Sequence, residues 1–248
     1  MLGAWTALGV VVPWWTTDRA GLRCTFLSVG HGEAIVVELP SGQTILYDAG
    51  RIAAPTACCR VVSGYLWSRG LTHLDAVILS HADSDHYNAL PELLERFSVG
   101  VVYVSPVMFD NENPGLRYLK NAIEQARTPI RVIASGDQLA GGPGCSLAIL
   151  HPPPRGLPST SNANSIVLAA EYAGHRVLLP ADLQSPGLDD VLAEQPWHCD
   201  VLLVPHHGSK SSKPAELSAW STPHWRRCSS VRNNMKKVFS IWLKCGYG

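Results

Sequence analysis

The stretch Ser80-His81-Ala82-Asp83-Ser84-Asp85-His86 constrains this chain more than any other. It sets His81, Asp83, Asp85 and His86 directly behind the apolar run Leu74-Asp75-Ala76-Val77-Ile78-Leu79. A short apolar run of this kind reads as a buried strand, so the polar groups stand on the loop where that strand ends. Any fold must bring that strand end to a place where several ionisable side chains are satisfied together. On a loop, alternate residues 81, 83 and 85 can turn toward one point, and His86 can join from the same side. Neutral imidazole with carboxylate suits zinc, and a carboxylate-rich set also suits manganese. A helix N-cap formed by Ser84 or Asp85 accounts for one acid but not for both histidines.

Other strand ends repeat the pattern. Leu178-Leu179-Pro180-Ala181-Asp182 places an acid after a buried run, and Val201-Leu202-Leu203-Val204-Pro205-His206-His207-Gly208-Ser209 places a histidine pair after another. Asp48 follows the run Thr44–Tyr47. Strand ends on one edge of an α/β sheet converge, so these positions can meet the cluster at 81–86. Taken singly, Asp182 reads as a turn residue and His206-His207 as a surface loop. Taken with the cluster, they read as further metal ligands.

Between these points the chain alternates strands and helices. Strands are expected over Arg23–Val29, Glu33–Leu39, Thr44–Tyr47, Ala76–Leu79, Val99–Val104, Ile130–Ala134, Ser146–Leu150, Ser165–Tyr172, Arg176–Leu179 and Val201–Val204. Helices are expected over Val61–Gly70, Ala89–Phe97, Pro114–Arg127 and Pro186–Glu194, the second carrying Leu90, Leu93, Leu94 and Phe97 at helical spacing. Pro152 through Asn164 reads as a long polar loop. Two β-rich halves, each followed by helices, predict an α/β fold with two sheets sandwiched between helices.

Both ends differ from the middle. Met1–Thr17 carries no charge and is too short to span a bilayer as a helix. It has neither the basic start nor the cleavage site of a signal peptide. Its Trp14-Trp15 pair reads as the interfacial end of a membrane segment, so residues 1–21 are expected to be an apolar leader left from one. Residues 225–248 hold six of the 20 Lys and Arg and no acid, whereas residues 1–224 net −6. The body therefore lacks the basic excess of a DNA-coating protein. The tail reads as a frameshifted segment or as a basic arm for phosphate or membrane. In the first case the last strand and helix of the fold would be missing. The seven cysteines, at 24, 58, 59, 145, 199, 228 and 245, form no C-x-x-C and read as buried thiols.

Taken in order, the motifs resemble the metallo-β-lactamase superfamily over residues 22–224, and within it the C-terminal metallo-hydrolase domain of ComEC-type DNA-uptake proteins. The residues carrying the likeness are Ser28-Val29-Gly30-His31-Gly32-Glu33-Ala34, Asp48-Ala49-Gly50, Ser80–His86, His151-Pro152, Asn162-Ala163-Asn164-Ser165, Pro180-Ala181-Asp182 and His206-His207-Gly208-Ser209. The resemblance implies an αββα four-layer sandwich and one or two divalent ions, Zn2+ or Mn2+. One ion would be held by Asp85, His86, Asp182 and one of His206 and His207. The other would use His81, Asp83 and a bridging Asp182. Asp48 would orient a ligand from behind. The sequence departs from the family in three places. Asp83 stands where the usual motif has histidine, His31 where glutamine is common, and Asn162–Ser165 where many members supply another histidine ligand.

The activity implied is hydrolysis of a phosphodiester, single-stranded DNA in first place, by metal-activated hydroxide, with Asp85 and Asp182 as the catalytic acids. Ser209, Lys210 and the amides after His207 are candidates for holding phosphate oxygens. Asn162 and Asn164 either join them or close a turn locally. The alternatives are hydrolysis of a small phosphoester such as phosphorylcholine, of a cyclic nucleotide or, least favoured, of a lactam. A degenerate domain that binds DNA or a partner without catalysis is the remaining reading. The setting implied is bacterial, at the inner membrane beside a channel domain of the same system, or cytoplasmic if the leader does not anchor it.

Overall fold

The computed structural model describes residues 21–111, 113–227 and 238–244. The expected apolar leader lies outside them except for Gly21, as do 228–237 and 245–248 of the tail.

Two mixed sheets form the centre of the fold. The first has seven strands: β1 (Gly21–Leu27), β2 (Ile35–Glu38), β3 (Thr44–Tyr47), β5 (Ala76–Leu79), β7 (Val102–Val104), β8 (Ile130–Val132) and β15 (Val238–Lys244), in the order 15-1-2-3-5-7-8. The second has six: β9 (Gln138–Ala140), β10 (Cys145–His151), β11 (Val167–Tyr172), β12 (His175–Leu179), β13 (Val201–Leu203) and β14 (Trp225–Arg227), in the order 14-13-12-11-10-9. A small side pair joins β4 (His73–Leu74) to β6 (Ser98–Val99). Each large sheet is antiparallel along one part and parallel along the other. β3 pairs parallel with β5, and β12 pairs parallel with β13.

Residue alternation explains the layering. Successive side chains of a strand point to opposite faces, and here both faces are covered, so the strands read as continuous apolar runs. Ile35, Val37, Ile45, Tyr47 and Ile78 face inward from the first sheet and meet Leu147, Ile149, Leu168, Val177 and Leu179 of the second. Their neighbours Val36, Leu46, Val77 and Leu79 face out against α1 (Pro55–Ser68), α3 (Leu90–Leu94) and α4 (Pro114–Gln125). On the other side Val167, Ala169, Leu178 and Leu202 pack against α5 (Gly187–Ala193) and α6 (Pro214–Ser221). A single-turn helix, α2 (Ser84–Tyr87), carries part of the polar cluster. The result is the αββα sandwich expected from the motifs.

Several boundaries differ from the sequence reading. α1 begins at Pro55, six residues earlier than expected, because Cys58 and Cys59 extend the apolar stripe of Val62 and Leu66 one turn back. Burial pushes the Cys58 thiol up to about 12, so it packs as a small apolar group. The helix expected over 89–97 shortens to Leu90–Leu94, with Pro91 in its first turn, while Phe97 is still buried beyond its end. The run Val99–Val104 divides, because Gly100 passes directly over the Asp75 carbonyl, where a Cβ would lie 2.5 Å from that oxygen. Within the basic tail, Val238–Lys244 pairs antiparallel with all of β1, and Trp225–Arg227 pairs parallel with β13.

One polar crossbar ties the sheets together. The fully buried Tyr47 hydroxyl, on β3, donates to the carbonyls of Ile166 (2.7 Å) and Leu179 (3.1 Å) in the second sheet. Tyr47→Phe leaves two buried carbonyls without this donor. It is expected to cost about 1–3 kcal/mol, measured as a lower urea midpoint with an unchanged denaturant slope.

Candidate metal centre

The polar site forms where adjacent parallel strands of both sheets end. β3 ends in Asp48, β5 in Ser80-His81, β12 in Ala181-Asp182 and β13 in His206-His207. Main-chain bonds stitch the loops together. The Ile166 N–H donates to the Ser80 carbonyl (2.9 Å), Ala49 N–H to His86 O (2.8 Å) and His206 N–H to Ala181 O (3.0 Å). Four of these loop residues are left-handed without being glycine: Asp48, Ala181, His206 and His207 have φ of 58°, 49°, 48° and 53°. Such conformations cost about 1–3 kcal/mol each and persist where the surroundings over-determine them.

Close backbone approach holds the cluster loop against the Asp48 loop. A Cβ on Gly50 would fall 2.3 Å from the Asp85 carbonyl carbon and 2.5 Å from the His86 nitrogen. Only glycine lets the two chains pass at that distance.

Asp48 organises the histidines from behind. Its buried carboxylate accepts from the Ser80 N–H (2.7 Å) and the Ser80 hydroxyl (2.7 Å), and pairs with His86 Nδ1 (2.8 Å). With its own proton given to Asp48, Ser80 Oγ accepts from His81 Nδ1 (2.8 Å). Both rings therefore carry a proton on Nδ1 and turn Nε2 toward the cavity.

Those Nε2 atoms meet carboxylates rather than donors. His86 Nε2 lies 3.3 Å from Asp182 Oδ2, and His81 Nε2 lies 3.7 Å from Asp83 Oδ2. His207 Nε2 lies 3.7 Å from Asp182 Oδ2 and 3.8 Å from Asp85 Oδ2, and His206 Nε2 is 3.8 Å from Asp182 Oδ2. His81 Nε2, His86 Nε2 and Asp182 Oδ1 are buried and make no hydrogen bond. Orphaned buried acceptors are costly unless something cationic satisfies them. Two donors about 2.0–2.2 Å from one tetrahedral zinc ion stand roughly 3.3–3.6 Å apart, close to the separations seen here. The residues therefore fit a divalent metal in both chemistry and placement.

Behind the site Glu33, Asp48 and His86 form one close triad of ligand atoms, and the donors toward the cavity form two more. His81, His86 and Asp182 form one, all buried; His31, Asp85 and His207 form the other, more open. Their charges are mutually tuned. Burial alone would lower the His86 pKa, but Asp182 and Asp48 on either side raise its affinity for a proton, or for a cation in the proton's place, well above the ordinary histidine range. Burial would raise the Asp182 carboxyl, yet His86, followed by His81 and His207, carries it well below the usual carboxylate range. Asp83 is lowered chiefly by its contact with His81.

The ligand sets implied by resemblance cut across these triads, and Asp182 Oδ2, 3.3–3.8 Å from His86, His206 and His207, is common to both. His86 stands with His81 and Asp182, whereas Asp85 stands with His207. Asp83 lines the open side of the first group, with a 43% exposed side chain. Of the histidine pair, His207 is the inner member, 7% exposed against 29% for His206. The Asn164 side chain holds the 152–164 loop, accepting from Leu157 N–H (2.6 Å) and donating to the Leu157 and Thr160 carbonyls. Asn162 lies half-buried on the same 3-10 turn. Ser209 is half-buried and caps the next turn through Ser211 N–H, and Lys210 is exposed on that turn. His31 and Glu33 were absent from the ligand sets; the signal for both was their place in the motif between β1 and β2. Glu33 is buried beside Asp48 and His86, and burial raises its carboxyl well above the ordinary range despite His86.

Two sheets flanked by helices, with histidines and aspartates gathered where parallel strands end, define the class as a metallo-hydrolase. The chain belongs to the metallo-β-lactamase superfamily, whose profile matches residues 27–213. Among curated relatives, ComE operon protein 3 of Bacillus subtilis is 28% identical over 222 residues, 84% of this chain and 28% of that protein. Recombination protein 2 of Haemophilus influenzae is 27% identical over 223 residues, 90% of this chain and 25% of that protein. This chain thus spans about a quarter of the length of these relatives. Among solved structures, a metallo-β-lactamase of Cronobacter sakazakii aligns with a TM-score of 0.51 at 15% identity, covering 79% of this chain and 86% of that one. The CmlA β-hydroxylase E377D mutant aligns with a TM-score of 0.51 at 14% identity, covering 84% and 46%. Among the described residues no helix is long and apolar enough to cross a membrane.

Asp48→Asn exchanges one acceptor oxygen for a donor facing His86 Nδ1 and releases the Ser80–His81 relay. Metal affinity, titrated against a competing chelator, is expected to fall roughly 10–100-fold. Unchanged affinity would remove the orienting role.

Proposed function

We propose that the chain is a metal-dependent phosphodiesterase, the nuclease-like domain of a ComEC-type DNA-uptake protein. The single observation that carries the hydrolytic part is Asp182. Its Oδ2 lies within 3.3–3.8 Å of His86, His206 and His207, at the junction of two donor groups. A carboxylate so placed suits a bridge between two ions, with His81 and His86 on one side and Asp85 and His207 on the other. Asp83 borders the first group from its open side. Bound divalent ions, zinc or manganese, supply Lewis acidity toward a phosphoryl oxygen and acidify water toward neutrality.

The chain's own residues set the remaining conditions. Asp48 and Ser80 engage Nδ1 of His86 and His81, so each Nε2 is turned toward the cavity. The buried first group excludes solvent from behind. Asp85 and His207 face the open mouth, where a substrate phosphate would arrive. Ser209 and Lys210 stand beyond His207 and are the candidates for holding its oxygens. Asp85 and Asp182 are the acids on which turnover depends.

The assignment to DNA rests on the ordered motif set and on relatives named for the ComE operon and for recombination. The domain division follows from it: a hydrolase domain over residues 22–224, an apolar leader before it and a basic segment after it whose strands Trp225–Arg227 and Val238–Lys244 complete its sheets. A membrane channel domain of the same system and a bacterial inner-membrane setting follow likewise. A second reading has its own support. Beside the first donor group lies a cleft of about 580 Å³ that includes Asp83 and Asp110. Its size and acidic lining suit a small phosphoester with a cationic head, such as phosphorylcholine.

Purified protein with Mn2+ or Zn2+ is expected to cut single-stranded DNA and bis(p-nitrophenyl) phosphate. Asp85→Ala and Asp182→Ala are expected to fall to background, the latter with loss of bound metal. Turnover of phosphorylcholine with DNA left intact would select the second reading. Metal-loaded wild-type protein inert on both substrates would overturn both.

A further inference from the structure

The loop between β1 and β2 brings an exposed histidine to the open half of the site. His31, Asp85 and His207 each offer a ligand atom, and these atoms lie within 4.8 Å of one another. The His31 ring stands 4.8 Å from that of His207, centroid to centroid, at an interplanar angle of 56°. That tilt is unlike a parallel stack and lets both rings aim nitrogens at the Asp85 carboxylate side.

The main chain anchors this position. The His31 carbonyl accepts from Ile52 N–H (2.8 Å). Two residues on, Glu33 N–H donates to the carbonyl of Asp85 itself (3.2 Å), and Glu33 O accepts from Gly50 N–H (3.0 Å). Gly32, at φ +151°, lies so close that a Cβ would fall 2.3 Å from Gly50 O and 2.8 Å from Asp85 O. His31 is thus tied on both sides to the segments that present Asp85, and its approach to that residue is built into the backbone.

We propose that His31 supplies a further protein ligand to the metal ion that Asp85 and His207 hold on the open side of Asp182. Imidazole and carboxylate donors of this kind suit zinc. The first group, His81, His86 and Asp182, is buried. The second, completed by an exposed imidazole, is the half that loads and releases its ion more readily. The inference rests on the metal-centre reading above but not on the identity of the substrate.

The test is metal binding, independent of turnover. Metal-free wild-type protein, His31→Gln and His31→Ala are titrated with Zn2+ against a chromophoric chelator, and their Co2+ absorption spectra are recorded. His31 is exposed, so equal melting temperatures of the metal-free proteins check that the variants fold. Wild-type protein is expected to bind two equivalents. Both variants are expected to keep the tighter one, to lose roughly 100-fold in affinity for the weaker, and to show altered cobalt d–d bands for the second equivalent. Two equivalents at wild-type affinity with unchanged spectra in both variants would overturn the role of His31 alone. So would a single equivalent in wild type that neither variant disturbs. Wild-type protein that binds no metal would overturn the role of His31 and the proposed function together.

Discussion

The buried carboxylate of Asp48 is the constraint on which the site depends. A charge with no solvent exposure is tolerated only when hydrogen bonds replace its water. Asp48 obtains them from the Ser80 amide, the Ser80 hydroxyl and the His86 ring. The same bonds commit the protons of two histidines, because Ser80 passes the orientation on to His81. The pairing that makes the buried charge affordable thus also leaves two Nε2 atoms facing Asp182 with nothing to bind. Stability behind the site and the orientation of its donors have one cause.

Packing places this arrangement at an edge between the two sheets. β3 and β5 lie side by side in the first sheet, and β12 and β13 lie side by side in the second. Their inner faces share one apolar core, and Tyr47 reaches across it to the second sheet. Asp48 follows Tyr47 directly, so the crossbar and the orienting acid are consecutive residues of one strand end. The left-handed backbone at Asp48, Ala181, His206 and His207 sits at these same ends. Strain is thereby concentrated where side chains must turn sharply into the site, and the rigid sheets behind it hold it in place.

Much of this was legible in the residue order. Thr44–Tyr47 and Ala76–Leu79 were delimited correctly as strands because polar residues bracket their apolar runs. The cluster at 81–86 announced a metal because both histidines had no other local use. Less legible were elements whose partners lie far along the chain. β9 is a short edge strand with a mostly exposed pattern, and α6 has little amphipathic signal because Ser218 and Ser221 share its buried face with Leu217 and Trp220. The start of α1 was hidden by two cysteines acting as apolar residues. Asn164 read equally well as a substrate contact or a turn closer; its partners Leu157 and Thr160 are local, but only the folded loop shows both its ends engaged.

The sequence by itself determined the fold class, the residue types of the site and the strand ends that carry them. Those depend on short-range patterns: apolar runs that must be buried, glycines at close approaches and polar groups just beyond each run. Tertiary structure alone decided which donor stands with which. Asp48 turns the His86 ring toward the cavity and Asp182, and the Asp85 carboxylate comes within 4.8 Å of ligand atoms of His207 and His31. Adjacent residues on a single turn of helix point in different directions, so only the distant partners fix where each donor lies. The partners that sort them come from strand ends 38 residues away for Asp48 and farther for Asp182 and His207.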